Sequence, residues 1–158
     1  MIPEERRCSM EIERKFLVKS IPDLTGLVPI YFRQGYLKIA DPEVRIREKI
    51  INNIKSYVRT IKYGQGLCRT KTETEISVEE FERDWPLTKG RRAEKNYYEI
   101  PYNKFVIELH EYLGKLEGLY MIEVEFASVE QAKDFIPLEW FGRDVTNNVE
   151  YENKNLAC

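Results

Sequence analysis

The chain has 158 residues, of which 42 % are apolar and 33 % charged, with a net charge of −2. That length fits one domain with a real core, and the near-balanced charge argues against bulk attraction to DNA or to a membrane surface. Cys8, Cys68 and Cys158 are scattered and make no CxxC pair, no apolar run is long enough to span a bilayer, and the N-terminus shows no signal-peptide core, so a reducing cytoplasm is expected rather than a zinc site or a disulfide framework.

Residues 1–9 are polar and read as a flexible extension ahead of a single domain over 10–158. Glu11–Val18 alternates as a strand, with Glu11, Glu13 and Lys15 on one face and Ile12, Arg14 and Phe16 on the other. Two acids and a base in one row could hold a divalent cation with a phosphate beside it, or simply face water. Pro22, Gly26 and Pro29 mark a loop or a short helix. Ile30–Ile39 and Val44–Ile51 read as strands, the second with Arg45, Arg47 and Lys49 in one row. Asn52-Asn53 is a hairpin turn, followed by a strand over Lys55–Tyr63 that carries Lys62.

After Gly64-Gln65-Gly66, the strand Cys68–Ile76 aligns Arg69, Lys71, Glu73 and Glu75. Ser77, with Glu80 three residues on, predicts a capped helix ending near Trp85-Pro86. Gly90–Ile100 is a strand with Arg91, Ala93, Lys95 and Tyr97 in one row. Phe105–Glu111 sets Glu108 and His110 against Ile107 and Leu109. Leu119–Phe126 sets Glu123 and Glu125 against Ile122, Val124 and Phe126. Ser128–Phe135 is helical, and the aromatic tail from Pro137 is expected to cover one end of the sheet.

The pattern repeats from strand to strand: aliphatics on one face, ionisable groups on the other. On an open sheet those groups would form surface ion pairs. In a closed barrel of about eight strands they would line an interior able to take one small ligand. So many buried charges would then need partners such as a polyanion and metal ions. The pattern is equally compatible with both arrangements.

Taken in order, these segments resemble the triphosphate tunnel metalloenzymes of the CYTH superfamily. Glu11-x-Glu13-x-Lys15 is similar to the N-terminal signature of that family, Val44-Arg45-Ile46-Arg47 to its paired-arginine strand and Thr60-Ile61-Lys62 to its lysine strand. Glu73-Thr74-Glu75, Gly90-Arg91-Arg92-Ala93-Glu94-Lys95, Ile107-Glu108-Leu109, Glu123-Val124-Glu125 and Gly142-Arg143-Asp144 also correspond.

The resemblance implies an α+β, mainly β fold: a closed eight-stranded antiparallel barrel, the triphosphate tunnel, with helices outside. It implies metal-dependent hydrolysis of a triphosphate, foremost inorganic tripolyphosphate to pyrophosphate and phosphate. Glu11, Glu13, Glu123 and Glu125 correspond to ligands of Mg2+ or Mn2+. Lys15, Arg45, Arg47, Lys62 and Arg91 correspond to triphosphate-binding bases, with Lys95 an addition. Lys15 also belongs to the expected catalytic set with Glu73, Glu75 and Glu108, carboxylates that hold either a second metal or the attacking water. Arginine forks and a metal bridge would neutralise the phosphate oxygens that repel attack.

Three positions depart from the pattern: Tyr97 stands where the family often has arginine, His110 where it often has aspartate, and Glu152 where relatives often carry a base. Other outcomes within the family are adenylate cyclase or thiamine and nucleoside triphosphatase activity. A different class is a polyphosphate-binding module without turnover. Phosphate release from tripolyphosphate separates enzyme from module.

Overall fold

Strands form where β-branched and aromatic residues alternate with charged ones, because each strand then offers one face to a core and one to solvent or a site. The computed structural model describes residues 7–64 and 68–158. Its strands are β1 (Arg7–Met10), β2 (Glu13–Val18), β3 (Ile30–Lys38), β4 (Glu43–Ile51), β5 (Ile54–Tyr63), β6 (Cys68–Glu75), β7 (Arg92–Tyr102), β8 (Phe105–Leu113), β9 (Tyr120–Glu125) and β10 (Phe141–Asp144). The helices α1 (Val78–Asp84), α2 (Val129–Asp134) and α3 (Asn153–Leu156) are short. All ten strands belong to one antiparallel sheet in the order β1-β6-β5-β4-β3-β7-β8-β9-β2-β10. Among the described residues no helix is long and apolar enough to cross a membrane.

The expected closed eight-stranded barrel does not form. The ladder has two ends, β1 and β10, and no described pairing joins them. A strand has two edges. One edge of β2 pairs with β9, and the other carries β10, with Phe141 opposite Val18 and Asp144 opposite Phe16. The Val145 amide adds a bond to the Lys15 carbonyl at 2.8 Å. No edge of β2 remains to complete a ring. The chain itself connects the β1 end of the ladder to β2, the strand next to the other end, since β1 leads through Glu11 and Ile12 directly into β2. Residues 7–9, expected in the flexible extension, belong to β1; residues 1–6 lie outside the described residues.

The aliphatic face makes the core as anticipated. Phe16, Ile107, Leu109, Ile122 and Val124 pack with Phe126, Phe135 and Phe141 beneath α2 and β10. A second cluster joins Ile46 and Ile76 to Phe81 of α1, which is wholly buried; burying such a ring contributes roughly 1.5–3 kcal/mol.

Local chemistry explains the ends. Ser77 caps α1 by accepting from the Glu80 amide at 3.1 Å. The Glu80 side chain does not complete the expected capping box and instead pairs with Arg59 at 3.2 Å. Asn52 and Asn53 take φ of 49° and 64°, as a two-residue hairpin turn requires. Gly35 lets Thr88 approach: a Cβ there would lie 2.6 Å from the Thr88 Cβ.

Candidate functional site

With the aliphatic rows committed to the core, the ionisable rows share the other face. Two adjoining cavities open there, of about 290 Å³ and 430 Å³. Glu11, Glu13, Arg45, Lys62 and Asn153 line both. The smaller also takes in Arg47, Lys49, Lys71, Lys95, Tyr97, Glu99, Glu108, His110, Glu123 and Glu125, and the larger Lys15, Tyr36, Glu43 and Glu152.

Strand register sorts these residues into two walls. On β2, β9 and β8, Glu13 stands opposite Glu125, and Glu123 is flanked by Lys15 and Glu108. Carboxylates directly across a ladder repel unless something cationic lies between them. Burial, followed by Glu123, raises the Glu13 pKa to about 7. Burial also pushes Glu123 upward, but His110, Lys15 and Lys95 outweigh it and hold its carboxyl well below the usual range. Such crowded oxygen donors fit a hard divalent cation, with Glu11, Glu13, Glu123 and Glu125 placed to hold it. Another candidate cluster comprises Glu108, His110 and Glu123.

The facing wall is basic. Arg45 is 9 % exposed, and its Nε is buried without a hydrogen-bond partner. Arg47 is anchored from below: Nε and Nη2 donate to Gln34 Oε1 at 3.0 and 2.8 Å, and the guanidinium lies 4.3 Å from the Phe32 ring centroid. Lys95 is 2 % exposed, and its ammonium lies 5.7 Å from the Tyr112 ring and 6.0 Å from that of Phe32. Burial, then Arg47, pushes its pKa down to about 7. Lys62 faces Glu11 at 3.7 Å. Cations crowded this closely make a preformed seat for a polyanion.

Lys15 sits between the walls. Its Nζ lies 3.5 Å from Glu123 Oε1 and donates to the Tyr151 carbonyl at 3.2 Å. The tail therefore covers this end of the sheet, as anticipated, with Asn153 Oδ1 accepting from the Tyr112 hydroxyl at 3.0 Å.

The structure brings together Glu11, Glu13, Lys15, Arg45, Arg47, Lys62, Lys95, Glu108, Glu123 and Glu125. It does not bring Arg91 in: its Nε and Nη2 each donate at 3.0 Å, to the Tyr36 and Leu87 carbonyls. Glu75 is exposed, and Glu73 is an exposed partner of Lys71 at 3.1 Å. The side chain of Arg69 lies outside the described residues. Lys49 and Lys71 were legible on rows already noted, at two-residue spacing from Arg47 and Glu73. Asn153 and Tyr151 had no periodic signal, because they come from the irregular tail.

No family model matches the chain. It is 42 % identical over 149 residues to an inorganic triphosphatase of Nitrosomonas europaea, covering 93 % of this chain and 96 % of that protein. It is 31 % identical over 148 residues to an inorganic triphosphatase of Acetivibrio thermocellus, covering 93 % and 92 %. A crystal structure of an inorganic triphosphatase superposes with a TM-score of 0.74 at 40 % identity, over 94 % of this chain and 95 % of that one. A Bacillus halodurans structure, named as a candidate adenylate cyclase, shares the fold with a TM-score of 0.56 at 19 % identity, over 80 % and 85 %.

Proposed function

Because this chain belongs to the inorganic triphosphatases of the triphosphate tunnel metalloenzyme family, we propose that it hydrolyses inorganic tripolyphosphate to pyrophosphate and phosphate in the charged cavity of its sheet. The observation that carries this reading is the meeting of Arg45, Arg47, Lys62 and Lys95 with Glu11, Glu13, Glu123 and Glu125 around one space. A triphosphate repels an attacking water through its own negative charge, and opposed acidic and basic walls answer that repulsion.

Each group has a part. Arg45 offers an unpartnered Nε to a phosphate oxygen, and Arg47, already clamped by Gln34, presents its remaining donors without loss of rotamer freedom. Lys62 and Lys95 bind as point charges. Lys15, held by Glu123 and the Tyr151 carbonyl, orients the phosphate nearest the acids. Glu11, Glu13, Glu123 and Glu125 would hold Mg2+ or Mn2+, which supplies charge neutralisation at the phosphate oxygens when bound. Glu108, partly exposed on the cavity wall, is the expected catalytic carboxylate best placed to orient the attacking water. Arg91, whose guanidinium donates to the Tyr36 and Leu87 carbonyls, takes no direct part.

The test is phosphate release from tripolyphosphate with Mg2+ or Mn2+, run beside ATP and thiamine triphosphate. Turnover that prefers tripolyphosphate and disappears in Glu11→Gln and Glu13→Gln supports the proposal. Tight binding with no turnover at any metal concentration refutes it, and a preference for a nucleotide reassigns the substrate.

A further inference from the structure

His110 is buried at 5 % exposure, and neither ring nitrogen has a hydrogen-bond partner. Leaving such a group unsatisfied costs roughly 1–3 kcal/mol. Its Nε2 lies 3.7 Å from Glu108 Oε2 and 3.7 Å from Glu123 Oε2, too far for hydrogen bonds. These are, however, the separations of ligands that share an ion: two donors each about 2.1 Å from one cation lie roughly 3–4 Å apart at ordinary coordination angles. The donor atoms of Glu108, His110 and Glu123 all fall within 4.8 Å of one another.

We propose that Glu108, His110 and Glu123 form a mixed nitrogen and oxygen site for a divalent transition cation, beside the carboxylate set of Glu11, Glu13 and Glu125. The inference rests on the reading of this cavity as a metal-dependent triphosphatase site.

The surroundings suit it. Glu123 turns Oε1 toward Lys15 and leaves Oε2 facing His110. The Tyr97 ring, 5.1 Å from the imidazole, fixes its plane. Mg2+ seeks oxygen, whereas an imidazole donor suits Fe2+, Ni2+ and Zn2+, and Mn2+, although it prefers oxygen, serves as the paramagnetic probe. His110 therefore biases this enzyme toward transition cations relative to a site with carboxylate at that position.

The chain contains one histidine, so any imidazole nitrogen bound to a metal belongs to His110. Untagged protein grown with 15N-histidine and loaded with Mn2+ alone should show 15N coupling in pulsed EPR. His110→Phe should remove that coupling and weaken Mn2+ binding by about tenfold or more. Mn2+ bound to the unaltered chain without nitrogen coupling overturns the site, and that measurement needs no variant to fold. Tripolyphosphate hydrolysis with Mg2+, assayed in parallel, tells the two readings apart. Hydrolysis without nitrogen coupling overturns this site and leaves the triphosphatase. Coupling without hydrolysis supports the site and refutes the activity. Absence of both overturns both.

Discussion

Replacing Lys95 by methionine should make the protein more stable and a poorer ligand for tripolyphosphate at once. Lys95 is 2 % exposed, and burial with Arg47 lowers its pKa from 10.5 to about 7. That difference corresponds to about 5 kcal/mol of folding free energy opposed by the buried charge, at roughly 1.4 kcal/mol per tenfold. Water entering the cavity screens part of this, so the expected gain is about 2 kcal/mol or more. Methionine keeps the length and packs against Phe32 and Tyr112 without a charge. The sign follows from linkage. Below pH 7 Lys95 is charged in both states, and the folded state bears the whole penalty. Between pH 7 and 10.5 the folded protein sheds that proton while the unfolded chain keeps it, so the penalty shrinks and the advantage of the variant fades. Urea unfolding followed by tryptophan fluorescence at pH 6 and pH 10 reads this directly, and calorimetry should show affinity for tripolyphosphate reduced more than tenfold. A variant less stable than the parent at pH 6, or an equal gain at both pH values, would refute the reasoning.

Arg45→Ala should lower kcat/KM for tripolyphosphate more than tenfold, about 1.4 kcal/mol or more, with the unfolding midpoint nearly unchanged; unaltered kinetics would remove Arg45 from the site. Gly35→Ala should cost about 1–3 kcal/mol by overpacking. Thr88 cannot retreat, since its hydroxyl donates to the Trp85 carbonyl at 2.7 Å and accepts from Arg92 Nε at 2.8 Å; an unchanged melting temperature would show that it moves aside. Asp144→Asn should loosen β10 from β2 at neutral pH. Burial opposes ionisation of Asp144, but Thr146 and Arg14 outweigh it and lower the pKa below 3.8. The stability it adds is present above 3.8 and lost as pH falls through the lower folded value, so parent and variant should converge in acid-unfolding curves. A difference that widens with acid would contradict this.

Much of the site could be read along the strands because period two is strict. Once Ile46 is known to face the core, Arg45 and Arg47 must face away from it, and the same holds for Glu108 and His110 beside Ile107 and Leu109. The row rule failed at Arg91, which precedes β7: there the chain is turning from the loop after α1, and nearby carbonyls capture the guanidinium before the strand begins. It held for Glu73 and Glu75, which stand across Thr60 and Val58 from Arg45 and Arg47, although both are exposed and Glu73 pairs with Lys71.

Alternation in the sequence determined which side chains share a face, the hairpin at Asn52-Asn53, the Ser77 cap and the identity of the acids and bases. It could not determine how the sheet ends. The closed ring was excluded by the four residues of β10, a segment too short and irregular to show a period, which occupies the edge of β2 that closure would have needed. Nor could it reveal that His110 would lie between two carboxylates with both nitrogens unpartnered. Pairing across strands distant in the chain depends on register and on which edges remain free, and those are properties of the assembled sheet rather than of any one segment.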